Sequence, residues 1–241
     1  MLPLRWLLFV LALTASLAGE ARDPRFTVQA VDTRSQSLEL FLDDEAGRPF
    51  HRFERLDSWL QTQGRRLRFA MNAGMFQPDY SPVGLFVSNG RQRQPLNLSA
   101  GKGNFFLEPN GVFLLGGAGP RVVESSRYPS MAQGVRLATQ SGPLLLRAGR
   151  IHPSFNPQSQ SRLIRNGVGV RGAMAYFVIS EQPVSFHEFA VFFRDELRCA
   201  DALYLDGTVS GLYSRELARN DARADLGPMI AVVEQIPRDR P

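Results

Sequence analysis

Short apolar runs alternate with turn-forming residues along most of this chain, and that alternation predicts β-hairpins. Each candidate turn contains Gly, Asn, Asp or Ser, which accept the backbone angles of a tight reversal. Hairpins at this spacing favour an antiparallel or mixed sheet over a doubly wound parallel one. The paired runs are Phe26–Val31 with Leu38–Leu42, Val83–Val87 with the region of Leu96, Asn104–Leu107 with Val112–Leu115, Leu144–Leu146 with Ile151, and Gly167–Val170 with Met174–Ile179.

Two segments have the apolar spacing of an amphipathic helix instead. The first covers residues 53–60, and Gly64 is placed to end it. The second begins with a capping box, in which Ser185 and Glu188 are expected to satisfy each other's backbone donors, and its apolar stripe continues to Leu197. Both stripes predict helices that pack on a sheet.

Two further apolar strands, Ala202–Leu205 and Met229–Ile236, complete the set of predicted elements. No Ser/Gly tract, charge block or repeat divides the chain. We therefore expect one α+β domain over residues 19–241, with a mixed, largely antiparallel sheet built from hairpins and two main helices packed on it.

The first residues predict an export signal rather than part of the fold. Arg5 precedes an apolar run from Trp6 to Ala15, and Ser16-Leu17-Ala18 has the small residues of a signal-peptidase site. The apolar run is too short for a comfortable membrane span. Residues 1–18 are therefore predicted to be cleaved, giving a periplasmic or secreted protein without stable membrane insertion; an uncleaved N-terminal anchor is the alternative.

The composition of the chain limits the classes of molecule that it is expected to bind. Arginine supplies almost all of the positive charge, with Lys102 the sole lysine, and the formal net charge is +5. Because the arginines do not cluster and the chain carries an export signal, an anionic carbohydrate or sugar phosphate fits better than nucleic acid. Cys199 is the only cysteine, so no internal disulfide is expected, and its apolar neighbours predict an inert buried thiol.

The candidate chemistry starts at Asp206, which ends the apolar run Ala202–Leu205 and is followed by Gly207 and the small residue Ser210. Glycine permits a sharp backbone change there, which leaves the carboxylate at the rim of its sheet. On this segment alone an Asx turn is the better interpretation. The other polar segments favour a catalytic carboxylate.

Four further segments place small residues, amides and aromatics where a core strand would be aliphatic. In combination with Asp206 they provide amides for sugar hydroxyls, cations for phosphate and a carboxylate for acid, base or nucleophilic work. Arg165 is expected to bind a phosphodiester in bidentate fashion, and no cofactor is needed. With Asp206 and Arg165 as catalytic residues, the substrate-binding candidates are Asn72, Gly74, Lys102, Asn104, Gln140, Ser141, Gly142, Asn166, Gly207 and Ser210.

At these same residues the chain resembles the phosphodiester glycosidase family, in particular its exported bacterial branch. The resemblance implies a mixed α/β domain with a polar cleft, acting on sugar-1-phosphodiesters as a hydrolase. The matching motifs occur in the same order from about Phe69 to Ser214 and comprise Asn72–Phe76, Gln140–Pro143, Arg165–Gly169, Val184–Ala190 and Leu205–Gly207.

The chain departs from that family's pattern beside the carboxylate. Tyr204 stands where the family has Asn, Thr208 and Val209 replace two glycines, and Asn166 follows Arg165 where the family has Thr. Side chains in place of glycines leave less room for a phosphate. The alternative function is therefore a non-catalytic periplasmic binder of anionic polysaccharide.

Other chemistries are less well supported. An ordinary glycosidase needs two carboxylates, whereas phosphate is a good leaving group, so that one carboxylate can suffice. A serine hydrolase is disfavoured because no G-x-S-x-G elbow surrounds Ser141. Three dispersed histidines and one cysteine make no metal-ligand set. The candidate second carboxylates, among which the sequence does not choose, are Asp79, Glu108 and Glu181, and the candidate bases for Ser141 are His51, His152 and His187.

Overall fold

The computed structural model describes residues 23–221 and 224–237, so the predicted signal peptide over residues 1–18 lies outside the described residues. Within those ranges no helix is long and apolar enough to cross a membrane. In chain order the strands are β1 (Phe26–Asp32), β2 (Ser37–Phe41), β3 (Arg65–Asn72), β4 (Phe86–Ser88), β5 (Arg91–Gln94), β6 (Gly111–Gly116), β7 (Gly119–Glu124), β8 (Val135–Ser141), β9 (Leu144–Arg147), β10 (Arg150–Ile151), β11 (Asn166–Arg171), β12 (Met174–Ser180), β13 (Asp201–Asp206), β14 (Leu212–Ser214), β15 (Arg219–Asn220) and β16 (Met229–Gln235).

These strands form three sheets in one domain. The first has the order β1-β12-β11-β13-β9-β10, the second β15-β14-β3-β16-β2, and the third β5-β4-β8-β6-β7. Each strand pairing in the described part of the chain is antiparallel. The antiparallel character of the predicted sheet is confirmed. The single sheet is wrong, and because the fold is mostly β, the α+β class holds only in part.

Three of the predicted hairpins are confirmed: β4–β5, β9–β10 and β11–β12. Their turns contain residues with positive φ, Asn89 and Gly90, Ala148 and Gly149, and Gly172. A two-residue hairpin needs such angles to match the twist of its strands, which is why these turns can be recognised from sequence.

Two predicted hairpins are wrong because their strands find other partners. β1 pairs with β12 and β2 pairs with β16, so the turn between β1 and β2 carries the chain from one sheet to another. Asn104–Phe106 is a 3-10 turn rather than a strand, and β6 pairs with β7 and β8 instead. The residues between β1 and β2 do form the predicted turn, but the partner of each strand is decided by non-local packing.

Both predicted helices form. α1 (Phe53–Gln61) buries Phe53, Leu56 and Leu60. α2 (Phe186–Val191) begins at the predicted capping box and continues as a π-helical turn over Phe192–Glu196. In that box the Ser185 hydroxyl accepts from the Glu188 amide at 3.2 Å, and the Glu188 carboxylate accepts from the Ser185 amide at 2.9 Å.

The three sheets share a core, in which a phenylalanine of the first sheet contacts one phenylalanine from each of the other two. The Phe177 ring of the first sheet lies 5.4 Å from Phe69 of the second and 5.7 Å from Phe113 of the third, centroid to centroid. All three side chains are fully buried. Cys199 is also buried, and burial raises the pKa of its thiol to about 12, as expected for an inert cysteine.

Candidate functional site

Asp206 ends β13, and one of its carboxylate oxygens organises the loop that follows. Asp206 Oδ1 accepts from the backbone amides of Gly207 at 2.6 Å and Thr208 at 2.9 Å, with Val209 more distant at 3.5 Å. This is the Asx-turn geometry that the segment around Asp206, taken alone, predicts. The turn uses only one of the two carboxylate oxygens.

The second oxygen, Asp206 Oδ2, has no hydrogen-bond partner among the described residues, and no described cation forms an ion pair with this side chain. Every buried side-chain oxygen and nitrogen of those residues does have a partner. Oδ2 therefore reaches the surface, although the residue as a whole is only 6% exposed. Burial raises the pKa of Asp206 against the opposing effect of the three amides.

Asn72 and Asn166 join the second sheet to the first beside Asp206. Asn166 Nδ2 donates to Asn72 Oδ1 at 2.8 Å, and Asn72 Nδ2 donates back to Asn166 Oδ1 at 3.4 Å. Asn166 lies opposite Asp206 in the β11–β13 register, and Asn72 Oδ1 also accepts from the Gly211 amide at 3.0 Å. The two amides are completely buried, so they hold the Asp206 loop in place.

Two serines bind the main chain on either side of the carboxylate. Ser141 Oγ donates to the Leu205 carbonyl at 2.9 Å, and the Ser210 hydroxyl lies 3.2 Å from the carbonyl oxygens of both Ile164 and Asp206. Ser141 is fully buried, and no described histidine makes a hydrogen bond to it. The serine-hydrolase arrangement is therefore absent from the described residues, and both serines fix the backbone around Asp206.

Arg165 is buried beneath this loop, with 1% of its surface exposed. Its guanidinium donates to the carbonyls of Val184 at 2.8 Å and Ser161 at 3.2 Å and to the Tyr204 hydroxyl at 3.3 Å, and it lies 3.7 Å from the ring centroid of Phe186. These bonds use three of the five guanidinium donors, but burial leaves almost no surface for the predicted bidentate contact with phosphate. In this structure Arg165 supports the floor of the site.

Tyr204 and Gly207 explain why a glycine follows Asp206. Gly207 does not have a positive φ, so the sharp backbone change expected from the sequence is not the reason for it. A Cβ built on Gly207 would overlap the Tyr204 hydroxyl, and that hydroxyl is held by Arg165. Burial raises the pKa of Tyr204, so the group stays a neutral hydrogen-bonding phenol.

Gln140 is placed away from the Asp206 loop. Its Oε1 accepts from the amides of Leu85 at 3.0 Å and Asn97 at 2.9 Å, and its Nε2 donates to the Asn97 carbonyl at 2.7 Å and Ser125 Oγ at 3.1 Å. Two donors and two acceptors exhaust an amide side chain. Gln140 therefore holds Leu85, which precedes β4, to the chain at Asn97, and it has no group left for a sugar.

The predicted glycines serve close packing. Gly74 has a φ of +133° and lies against β8, where an added Cβ would be 3.1 Å from Thr139 Oγ1. At Gly142 an added Cβ would be 2.6 Å from the Phe105 carbonyl and 3.1 Å from that of Asn104. Gly74 is thus packed closely against β8, and Gly142 against the 3-10 turn at Asn104–Phe106.

Lys102 and Asn104 lie on the loop that approaches the site from the third sheet. The Asn104 side chain lies beside the Tyr204 hydroxyl and works with Arg165 against the effect of burial on the Tyr204 pKa. Lys102 is exposed and makes no hydrogen bond or ion pair with any described residue. It is available to meet an anion from solvent.

An open cleft of about 330 Å³ runs along the Asp206 loop and contains residues that sequence reasoning missed. Arg162 lines it with a side chain 44% exposed, and its guanidinium pairs with Glu188 at 2.8 Å. Asp221 also lines it and accepts from the Leu212 amide at 3.0 Å. Their nearness to Asp206 arises from loops that meet only in the folded chain, so no motif reveals them.

None of the three candidate second carboxylates lines this cleft. Asp79 accepts from Ser81 within its own turn, and Glu181 pairs with Arg219 at 2.5 Å. Glu108 is exposed on a different loop. Asp221 is the acidic residue among the described residues that line the cleft. Within residues 23–221 and 224–237, no three His, Cys, Asp or Glu side chains lie close enough together to hold a metal ion.

The sequence matches the family model described as phosphodiester glycosidase over residues 65–232. It is 35% identical over 196 residues to the uncharacterized protein YigE of Escherichia coli (strain K12), covering 80% of this chain and 76% of that protein.

Two solved structures share the fold. The catalytic domain of zebrafish N-acetylglucosamine-1-phosphodiester alpha-N-acetylglucosaminidase, auto-inhibited by its pro-peptide, aligns with a TM-score of 0.56 and 14% identity over 88% of this chain and 89% of that chain. A hypothetical protein from Synechocystis aligns with a TM-score of 0.56 and 15% identity over 87% of this chain and 59% of that chain. This chain thus spans less than two thirds of the Synechocystis protein.

Proposed function

The chain belongs to the phosphodiester glycosidase family, and on that basis we propose that it is a hydrolase that cleaves the bond between a sugar and a phosphodiester. The observation that carries the proposal is the divided role of Asp206. One oxygen is fixed by the amides of its own loop, and the other makes no bond to a described residue. The loop that this carboxylate organises, from Gly207 to Gly211, lines the cleft. A carboxylate held this way is oriented before substrate arrives.

The reaction breaks the bond between the anomeric carbon and the phosphate oxygen. Water supplies the new hydroxyl of the sugar, its second proton is released, and the phosphate leaves as a monoester. Because phosphate is a good leaving group, the oxygen needs little protonation, and ionised Asp206 acts as nucleophile or as base toward water. One carboxylate then suffices, consistent with a cleft that lacks Asp79, Glu108 and Glu181.

The substrate phosphate is proposed to lie near Arg162. Its guanidinium is half-exposed in the cleft, and its pairing with Glu188 leaves donors free. Lys102 is a second exposed cation for the distal part of an anionic substrate. Arg165 contributes a buried positive charge whose described hydrogen-bond partners are carbonyls and a hydroxyl rather than a carboxylate.

The proposed setting is an envelope or extracellular glycan, reached through the export signal over residues 1–18; an uncleaved anchor would place the same domain at the membrane surface. The alternative function, a non-catalytic binder of anionic polysaccharide, is favoured by Thr208 and Val209, whose side chains narrow the cleft.

The test is turnover by the purified protein of methyl phosphodiesters of glucose-, galactose-, mannose- and N-acetylglucosamine-1-phosphate. We expect release of free sugar by the wild type and none by Asp206→Asn. Binding of these diesters without turnover, with equal affinity in Asp206→Asn, would establish the binder instead. Cleavage on the far side of the phosphorus, which leaves sugar-1-phosphate, would contradict the glycosidase.

A further inference from the structure

A second and larger groove lies at the β2 edge of the second sheet, whereas the Asp206 loop leads into β14 near the opposite edge. The groove has a volume of about 610 Å³ and is lined by the end of β2, the loop that follows it, Trp59 of α1 and the β4–β5 turn. Small-molecule sites have volumes of about 300–1,000 Å³. The groove is therefore large enough for a ligand of several rings.

The groove is separate from the catalytic cleft. The two share no lining residue. β14, which follows the Asp206 loop, and β2, which borders the groove, are separated in their sheet by β3 and β16. At a strand spacing of about 4.8 Å, three spacings place them about 14 Å apart. A ligand in this groove leaves the Asp206 site open.

Two aromatic residues, Phe41 and Trp59, line the groove, and Trp59 is the more exposed of them. It is half-buried, and its indole Nε1 donates to Glu45 at 3.0 Å, which fixes the ring orientation. Phe41 meets it edge-on with planes at 74°, and Phe50 is tilted at 56°, so neither ring stacks flat on the indole. A rigid aromatic surface at a groove suits the apolar C–H face of a sugar ring.

Polar groups without protein partners lie across the groove from Trp59. Asn89, Arg91 and Gln92 are exposed, and no described residue forms a hydrogen bond or ion pair with any of their side chains. They are held on a tight turn in which Asn89 and Gly90 have φ of +51° and +74°. Their amide and guanidinium groups can thus meet hydroxyls without first releasing a protein bond.

The charges of the groove compensate one another. Asp43 is paired with Arg93 through two bonds of 2.7 Å, and Asp44 is paired with Arg48 at 2.7 Å. Glu45, which has no described cation partner, and Arg91 remain, with opposite signs. With these pairs formed, the groove has no net charge to select an ion.

We propose that this groove binds a neutral oligosaccharide, with one sugar ring stacked on Trp59 and hydroxyls bonded to Asn89, Arg91 and Gln92. The site would hold a glycan chain some distance from the bond that is cleaved. Binding there requires no catalysis, so the proposal stands or falls independently of the function proposed for Asp206.

Tryptophan fluorescence tests this site directly. Trp6 and Trp59 are the only tryptophans, so Trp6→Phe in the full chain leaves Trp59 as the sole emitter. This protein is titrated with maltotetraose, cellotetraose and chitotetraose up to millimolar concentrations. We expect a saturable change in emission with at least one of them, weakened about fivefold by Arg91→Ala or Gln92→Ala, since each removes about one hydrogen bond.

Two control variants define the result. Arg55→Ala removes an exposed arginine of the same helix as Trp59 that does not line the groove, and Asp206→Asn alters the other cleft; both should leave the titration unchanged. No change in Trp59 emission with any of the three sugars overturns the proposal. So does a change that Arg91→Ala and Gln92→Ala leave intact, or one that Asp206→Asn abolishes.

Discussion

The hydroxyl of Tyr204 occupies the space that a side chain on Gly207 would need. We predict that Gly207→Ala forces the Asp206 loop away from β13, destabilises the fold by about 1–3 kcal/mol and removes most of the activity. Tyr204→Phe deletes the obstructing oxygen, and the nearest remaining ring atom then lies 3.1 Å from the added Cβ. The double variant should therefore regain part of what Gly207→Ala loses, as measured by urea unfolding and by turnover. Strictly additive losses would mean that the contact does not position the loop.

Asp206→Asn separates charge from hydrogen bonding in the loop. Asparagine keeps an oxygen for the Gly207 and Thr208 amides but cannot ionise. Since burial raises the pKa of Asp206 in the folded protein, ionisation is less favourable there than in the unfolded chain. The wild type therefore loses stability as the pH rises from the ordinary aspartate range through the raised pKa. Asp206→Asn should have the higher melting temperature at neutral pH, and the difference should disappear in acid.

Asp206→Ala is the matched control for that measurement, because it removes the acceptor as well as the charge. The amides of Gly207 and Thr208 would lose their partner, and relative to Asp206→Asn we expect a loss of about 1–3 kcal/mol that persists at all pH values. Equal stabilities of the Asn and Ala variants would show that the Asx turn contributes nothing to the loop.

The pH dependence of turnover should report the same group. If ionised Asp206 attacks or activates water, kcat/KM falls on the acid side with an apparent pKa above the usual aspartate range, because burial raises the pKa of this carboxyl. A phosphodiester substrate does not titrate there. An activity that instead rises toward acid would assign Asp206 the role of general acid.

Arg162 and Arg165 should behave differently although they are three positions apart. Arg162→Ala removes a half-exposed guanidinium at the cleft, so we expect a raised KM and a change in stability within about 0.5 kcal/mol. Arg165→Ala removes a buried group from two carbonyls, a phenol and the Phe186 ring, and should cost about 2–4 kcal/mol. Steady-state kinetics and denaturant unfolding of both variants distinguish these outcomes. An Arg165→Ala protein of normal stability with a raised KM would favour direct phosphate binding by Arg165.

The Asn72–Asn166 pair should act as one unit. Asn72→Ala leaves the Gly211 amide without an acceptor and leaves the Asn166 side-chain amide only the backbone carbonyl of residue 72. Asn166→Ala leaves the Asn72 side-chain amide without its acceptor. Each is expected to cost about 1–3 kcal/mol, and the double variant less than the sum, because the second change removes a group already unpaired. Urea unfolding of the four proteins gives the coupling, and additive losses would contradict a shared network.

Local features of the sequence were reliable where the backbone itself demands particular residues. The capping box at Ser185 and Glu188 and the turns at Asn89-Gly90 and Gly172 form where predicted, because each is satisfied within a few residues. The hairpin expected at Asn110-Gly111 fails since β6 pairs with β7 and β8 instead. The side chain of Asn110 is buried and donates to the Phe105 carbonyl at 3.0 Å.

The sequence by itself determined the family and the antiparallel strands, because ordered motifs and apolar runs separated by turn residues are properties of the chain. Tertiary structure alone decided that the strands form three sheets and that Arg165 is buried. It also decided that Gln140 bonds to the protein and that Arg162 lines the cleft. A polar side chain looks the same in a motif whether it bonds to a ligand or to the protein. Only the packed structure shows which of its donors and acceptors are already used.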